Sequence, residues 1–213
     1  MRSFRFFLME EMDRKDPKSK TLHAFDMDEV LFHHDANKLQ VHVKDAHGKH
    51  VKALSNQEFN HHKLEPGHHY DFSDFRSSKK FKETAKPIHK MIRKLKAIHK
   101  NNKNVEILTA RSDFDDKKGF MDRLKHHGID AHQIHVRRAG NLEGNPAETK
   151  RKVMHDLIKK HGYTKVHLYD DSEHNLNHFV SLKQDHPNVE FHAHHVAHNP
   201  ETGEVKVTTR KFK

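Results

Sequence analysis

The chain of 213 residues holds no cysteine and no tryptophan, 40 Lys and Arg against 30 Asp and Glu, and 26 histidines, for a formal charge of +10. Without cysteine there are no disulfides, thiolate metal sites or cysteine nucleophiles, and no apolar run approaches the ~18 residues needed to span a bilayer. The length suits one α/β domain with a modest insertion, and the chain reads as a soluble, cytoplasmic protein with no membrane and no disulfide-linked partner.

Residues 1–20 read as a short amphipathic segment, with Phe4, Phe7 and Leu8 on one side, followed by a polar linker. Residues 22–25 form a short strand that stops at Asp26. An insertion, residues 33–82, follows. In it Val41, Val43, Val51 and Leu54 alternate around Asp45-Ala46-His47-Gly48 as a hairpin, and residues 55–81 read as a loop rich in histidine, serine and aromatics. From Thr84 a helix is expected on the spacing of Ile88, Met91, Ile92, Leu95 and Ile98, with Pro87 in its first turn.

Residues 105–108 predict a buried strand ending at Thr109. Ser112 and Asp115 have capping-box spacing ahead of a helix that carries Met121 and Leu124 to a Gly128 stop. Residues 133–136 read as a third strand. Asn145, Pro146 and Glu148 open a helix with Val153, Met154, Leu157 and Ile158 on its buried face and Gly162 past its end. A strand over 165–169 runs into Asp170-Asp171, and Ser172 caps a helix carrying Leu176, Phe179 and Val180. A strand over 189–196 and a polar hairpin through Val205 and Val207 close the chain.

Alternating strands and helices predict a Rossmann-like parallel sheet with helices on both faces, over residues 21–213. Ligands of such sheets bind beyond the carboxyl ends of the strands. The residues expected there are Asp26 and Asp28, Thr109 and Arg111, and Asp170 and Asp171. Three strands thus deliver carboxylates and a hydroxyl to one edge.

Asp26-Met27-Asp28-Glu29-Val30 after an apolar strand resembles the opening motif of the haloacid dehalogenase superfamily. Ile107-Leu108-Thr109-Ala110-Arg111 is similar to its second motif and Leu168-Tyr169-Asp170-Asp171 to its fourth. The resemblance, over roughly residues 21–196, implies a Mg²⁺-dependent phosphomonoester hydrolase. Asp26 would attack phosphorus to form an aspartyl-phosphate, and Asp28 would protonate the leaving oxygen and later activate water. Mg²⁺, a hard cation suited to oxygen ligands, would be held by Asp26, the Asp28 main-chain carbonyl, Asp170 and Asp171. Thr109, Ala110 and Arg111 would bind the phosphoryl group. The family's lysine falls among Lys150, Arg151 and Lys152, and Lys150 is preferred over Lys152 from its position relative to Val153, Met154 and Ile158.

The basic charge favours polyanionic partners, with solubilising surface lysines as the plain alternative. Thr109-Ala110-Arg111 is similar to the motif of polynucleotide phosphatases and RNA-repair-associated members of the superfamily. The expected substrate is therefore a nucleotide or a nucleic-acid terminal phosphate. The short insertion points to an open site, although residues 70–76 would also serve as a lid whose aromatics either stack a base or pack against the domain. Two other readings remain: a small-metabolite phosphatase using the same residues, and a basic DNA-associated or virion-packaged protein with a vestigial site. The opening residues resemble those of tailed-phage proteins, and Leu8-Met9-Glu10 resembles a capsid-leader cleavage site; a phage protein would work in the host cytoplasm. The histidine pairs (His33-His34, His61-His62, His68-His69, His126-His127 and His194-His195) are spread along the chain. That spread favours compositional drift over a histidine metal site.

Overall fold

The computed structural model describes residues 19–102 and 104–213. The N-terminal amphipathic segment and the leader-like tripeptide lie outside the described residues. The first strand, β1 (Thr21–Phe25), leads into an insertion built from β2 (Phe32–His33), β3 (Val41–Lys44), β4 (His50–Leu54), α1 (Asn56–His61), β5 (His69–Asp71), α2 (Ser73–Arg76), α3 (Ser78–Thr84) and β6 (Lys86–Pro87). A regular repeat follows: α4 (His89–Asn102), β7 (Val105–Thr109), α5 (Lys117–His126), β8 (His135–Arg138), a 3₁₀ turn (Ala139–Asn141), α6 (Pro146–His161), β9 (Lys165–Asp170), α7 (Glu173–Ser181), β10 (Glu190–His198) and β11 (Val205–Phe212).

The main sheet has the order β11-β10-β9-β1-β7-β8. All its pairings are parallel except β10 with β11. The fold is therefore α/β, with a six-stranded, mostly parallel sheet flanked by helices. The chain leaves β1 on one side toward β7 and β8, then crosses back to β9 on the other. Such a reversal opens a crevice at the carboxyl ends of the flanking strands.

Each sheet face has its own core. Phe25, Ile107 and Tyr169 pack under Met91, Leu95, Phe120 and Leu124 on one side. Leu22, Ala24 and Leu168 pack under Val153, Met154, Leu157, Leu176 and Phe179 on the other. Alternation along β1 decides the assignment, since neighbouring side chains point to opposite faces. The same register lines up His23, His167 and His192 across three strands, with the His23 and His167 rings stacked at 4.2 Å. Among the described residues no helix is long and apolar enough to cross a membrane.

Several local expectations are corrected. The helix expected from Thr84 begins at His89, and Lys86–Pro87 is a short strand pairing with Phe32–His33. Proline disfavours helical backbone in the residue before it. Asp116, rather than Ser112 with Asp115, caps α5 by accepting from Gly119 N, while Asp115 Oδ1 accepts from Ser78 N at 2.8 Å. The third strand lies at His135–Arg138, two residues later than expected. In the insertion, Val41 pairs with Leu54 as a hairpin requires, but Val51 is 49% exposed. Residues 55–81, read as a loop, hold three short helices and a strand. Ser55 with Glu58 forms a capping box and Ser77 caps α3, so local polar signals fix helices too short to show hydrophobic periodicity.

Candidate active site

Asp26 follows the last residue of β1, and its N–H donates to the Tyr169 carbonyl of β9 at 2.8 Å. Its Oδ1 accepts from Met27 N at 2.8 Å, and its Oδ2 lies 2.9 Å from Lys150 Nζ. Lys150 sits near the start of α6, whose N-terminus is set by Asn145 and Pro146. Val153, Met154 and Leu157 turn that helix toward the sheet. Lys150, a turn earlier, is thereby buried over the strand ends and also reaches Asp170 Oδ2 at 2.8 Å. Asp170 Oδ1 accepts from Ser172 N at 2.9 Å and Asn175 Nδ2 at 3.0 Å. Asp170 therefore both steadies the turn into α7, whose N-cap is Ser172, and anchors the lysine. Lys152 is exposed.

A second pairing occupies the other half of the site. Arg111 grips Asp28 through Nε to Oδ2 at 2.9 Å and a terminal nitrogen to Oδ1 at 2.8 Å. Its other terminal nitrogen donates to the Phe75 carbonyl at 2.8 Å. His34 Nε2 lies 3.0 Å from Asp28 Oδ1, with its Nδ1 3.0 Å from Thr84 Oγ1. The guanidinium also lies over the Phe75, Phe81 and Phe114 rings at 4.9, 5.3 and 5.5 Å. Thr109 Oγ1 accepts from Arg111 N at 3.1 Å, which shapes the turn after β7.

Charge is unevenly balanced here. Burial pushes the Asp26 carboxyl up to about 7; Lys150 opposes the shift, while Asp170 and Asp28 add to it. Burial likewise raises Asp171 well above the usual carboxylate range, helped by Asp170 and Asp26. Burial would raise Asp28 too, but Arg111 and His34 outweigh it and hold this carboxyl far below its usual range. Burial would lower Lys150, yet Asp170 and Asp26 hold it above its ordinary value. Four carboxylates thus face two cations. One oxygen from each of Asp26, Asp170 and Asp171 lies within 4.8 Å of the others. An all-oxygen, electron-rich set of this kind fits a hard divalent cation.

No family model, no curated protein and no solved structure matches the chain. What the site can do therefore follows from its own residues. Asp26, Asp28, Ala110, Arg111, Lys150 and Asp171 line one cavity of about 220 Å³. Asp170 and Thr109, both fully buried, stand behind its wall. The insertion supplies Phe59, Phe72 and Phe75 to the same cavity, so it covers the strand ends more fully than its length suggested. Phe72 is 40% exposed and meets Phe59 edge-on at 5.4 Å.

Three contributors were missed in the sequence. Asn175 stands three residues beyond the Ser172 cap, a spacing that could have flagged it. His34 was hidden among the other histidines. Gly140 gave no signal beyond its residue type, yet a Cβ there would lie 2.7 Å from Arg111 C and Ser112 N, so only glycine lets the turn after β8 approach the turn that carries Arg111.

Proposed function

We propose that the chain is a phosphomonoester hydrolase of the haloacid dehalogenase type, acting on a nucleotide or a nucleic-acid terminal phosphate. The observation that carries this reading is Asp26 at the end of the central strand, facing a cavity beside Lys150, with Asp170 and Asp171 alongside. Asp26, Asp170 and Asp171 would hold Mg²⁺, which when bound neutralises charge on the carboxylates and on the phosphate.

An Asp26 oxygen attacks phosphorus, the bond from phosphorus to the ester oxygen breaks, and that oxygen takes a proton from Asp28. Water then attacks the aspartyl-phosphate, Asp28 accepts its proton, and inorganic phosphate leaves with Asp26 restored. Asp28 can carry a proton only once Arg111 loosens its grip. The phosphoryl oxygens are the natural replacement partner, since a guanidinium binds them in the same two-pronged way. Lys150 keeps the nucleophile oriented. The exposed Phe72 ring favours a nucleotide, because a base stacks on an aromatic face irrespective of its identity.

The test compares an aryl phosphate, mononucleotides, and oligonucleotides phosphorylated at the 3′ or 5′ end, with Mg²⁺ and with excess chelator. Turnover is expected with Mg²⁺, absent with chelator, and absent in Asp26→Asn with the thermal unfolding of a folded protein retained. Residual activity in Asp26→Asn above a few per cent would refute the aspartyl-phosphate route. Hydrolysis of the aryl phosphate with every mononucleotide and phosphorylated oligonucleotide left intact would refute the substrate class.

A further inference from the structure

A second cavity, of about 430 Å³, shares Asp28, Phe75 and Asp171 with the first and is walled by Glu29, His33 and His198. These three residues come from separate places, the turn after β1, the strand β2 and the end of β10. One nitrogen or oxygen from each lies within 4.8 Å of the other two.

The backbone takes an uncommon conformation at Glu29. Glu29 has φ +57°, the only positive φ among described non-glycine residues, a left-handed conformation that costs an L-residue ~1–2 kcal/mol. Its N–H donates to the Phe32 carbonyl at 2.7 Å. Its carboxylate meets His33 Nδ1 at 2.7 Å and His34 N at 3.2 Å. His198 packs its ring 5.2 Å from that of His33, and its Nδ1 is buried with no hydrogen-bond partner among the described residues. Buried polar atoms are ordinarily paired, so this nitrogen points to an absent partner. Burial and the neighbouring His33 lower the His198 pKa against the pull of Glu29, which keeps the nitrogen lone pair available.

We propose that Glu29, His33 and His198 bind one divalent d-block cation of the zinc class, with a coordination position left open toward the adjoining cavity. Two imidazoles and one carboxylate are a donor set such cations accept, at bond lengths of ~2.0–2.2 Å. On binding, the hydrogen bond between His33 Nδ1 and Glu29 is exchanged for bonds to the ion. The site is distinct from the all-oxygen cluster of Asp26, Asp170 and Asp171, and it does not rest on the phosphatase reading. His167, His192 and His194 also converge within 4.8 Å, but Glu190 already engages His192 at 2.6 Å, and Lys94 and Lys211 repel positive charge on His194. This trio serves as the control.

The full-length chain, stripped of metal and held in Mg²⁺ to fill the oxygen site, is titrated with Zn²⁺ by calorimetry and with Co²⁺ by visible absorption. One tight ion per chain is expected. His33→Gln/His198→Gln should weaken it by at least about tenfold, the scale of losing groups that hold a metal, and His167→Gln/His194→Gln should leave it unchanged. A readout that needs no variant follows ring resonances on Co²⁺ addition, where His33 and His198 should broaden first. Unaltered affinity in His33→Gln/His198→Gln, only weak multiple-ion binding, or first broadening at His167 and His194 would each overturn the proposal.

Discussion

Acidification should destabilise this protein through the histidines on its sheet. Burial lowers His23 to about 4, with Lys94 adding to the effect. Burial also lowers His194 to about 3, again with Lys94, and His167 to about 2, with the neighbouring imidazoles. A folded-state pKa below the unfolded value of 6.5 means that folding prefers the neutral ring. The stabilisation is therefore complete above about pH 6.5 and is lost as pH falls through that value toward the folded pKa. Between about pH 8 and about pH 5 linkage assigns each ring a loss of about 2 kcal/mol. Solvent screening of this partly open cluster reduces it to about half. Three rings then lose about 3 kcal/mol together, a large fraction of the ~5–15 kcal/mol that holds a domain folded. Urea denaturation at both pH values would measure it in the wild type and in His23→Gln/His167→Gln/His194→Gln. The variant should lose about 3 kcal/mol less on acidification than the wild type. Equal losses in the two proteins would refute the reasoning.

Arg137 and Glu106 form a buried pair at 2.6 Å across β7 and β8. Arg137→Met removes the cation from a buried carboxylate and should cost ~3–5 kcal/mol by chemical denaturation, while Glu106→Leu/Arg137→Met should recover most of it; an Arg137→Met cost below about 1 kcal/mol would contradict the burial. In Gly140→Ala the new methyl meets the turn carrying Arg111. Substrate affinity should fall more than stability, read as KM against urea midpoint, and an unchanged KM would show that the turn yields freely.

Much of the sheet was legible because strands buried on both faces read as mostly apolar, as Val105, Ile107 and Leu108 do in β7. The clustering of Asp26 with Asp170 and Asp171 was legible for a related reason: a parallel sheet forces equivalent strand ends to one edge. Choosing Lys150 over Lys152 needed only the helix period relative to Val153 and Met154. The insertion was less legible, since two of its three short helices are set by side-chain caps rather than by an apolar stripe. The pairing of Asp28 with Arg111, 83 positions apart, leaves no local trace. Nor could residue type reveal that histidines scattered in sequence become cross-strand neighbours at His23, His167 and His192.

Arg111 holds Asp28 with one edge of its guanidinium and the backbone of Phe75 with the other. The same side chain therefore fastens the insertion to the sheet and holds Asp28, the proton donor of the proposed mechanism. An anion that draws Arg111 from Asp28 also weakens the tie at Phe75, so occupancy of the cavity and freedom of its aromatic wall become thermodynamically linked. By reciprocity, whatever pries the insertion loose makes Arg111 more available to an incoming anion. A single guanidinium thus works as a latch with two strikes, and the seating of the insertion and the pairing of Asp28 cannot be tuned independently while it remains.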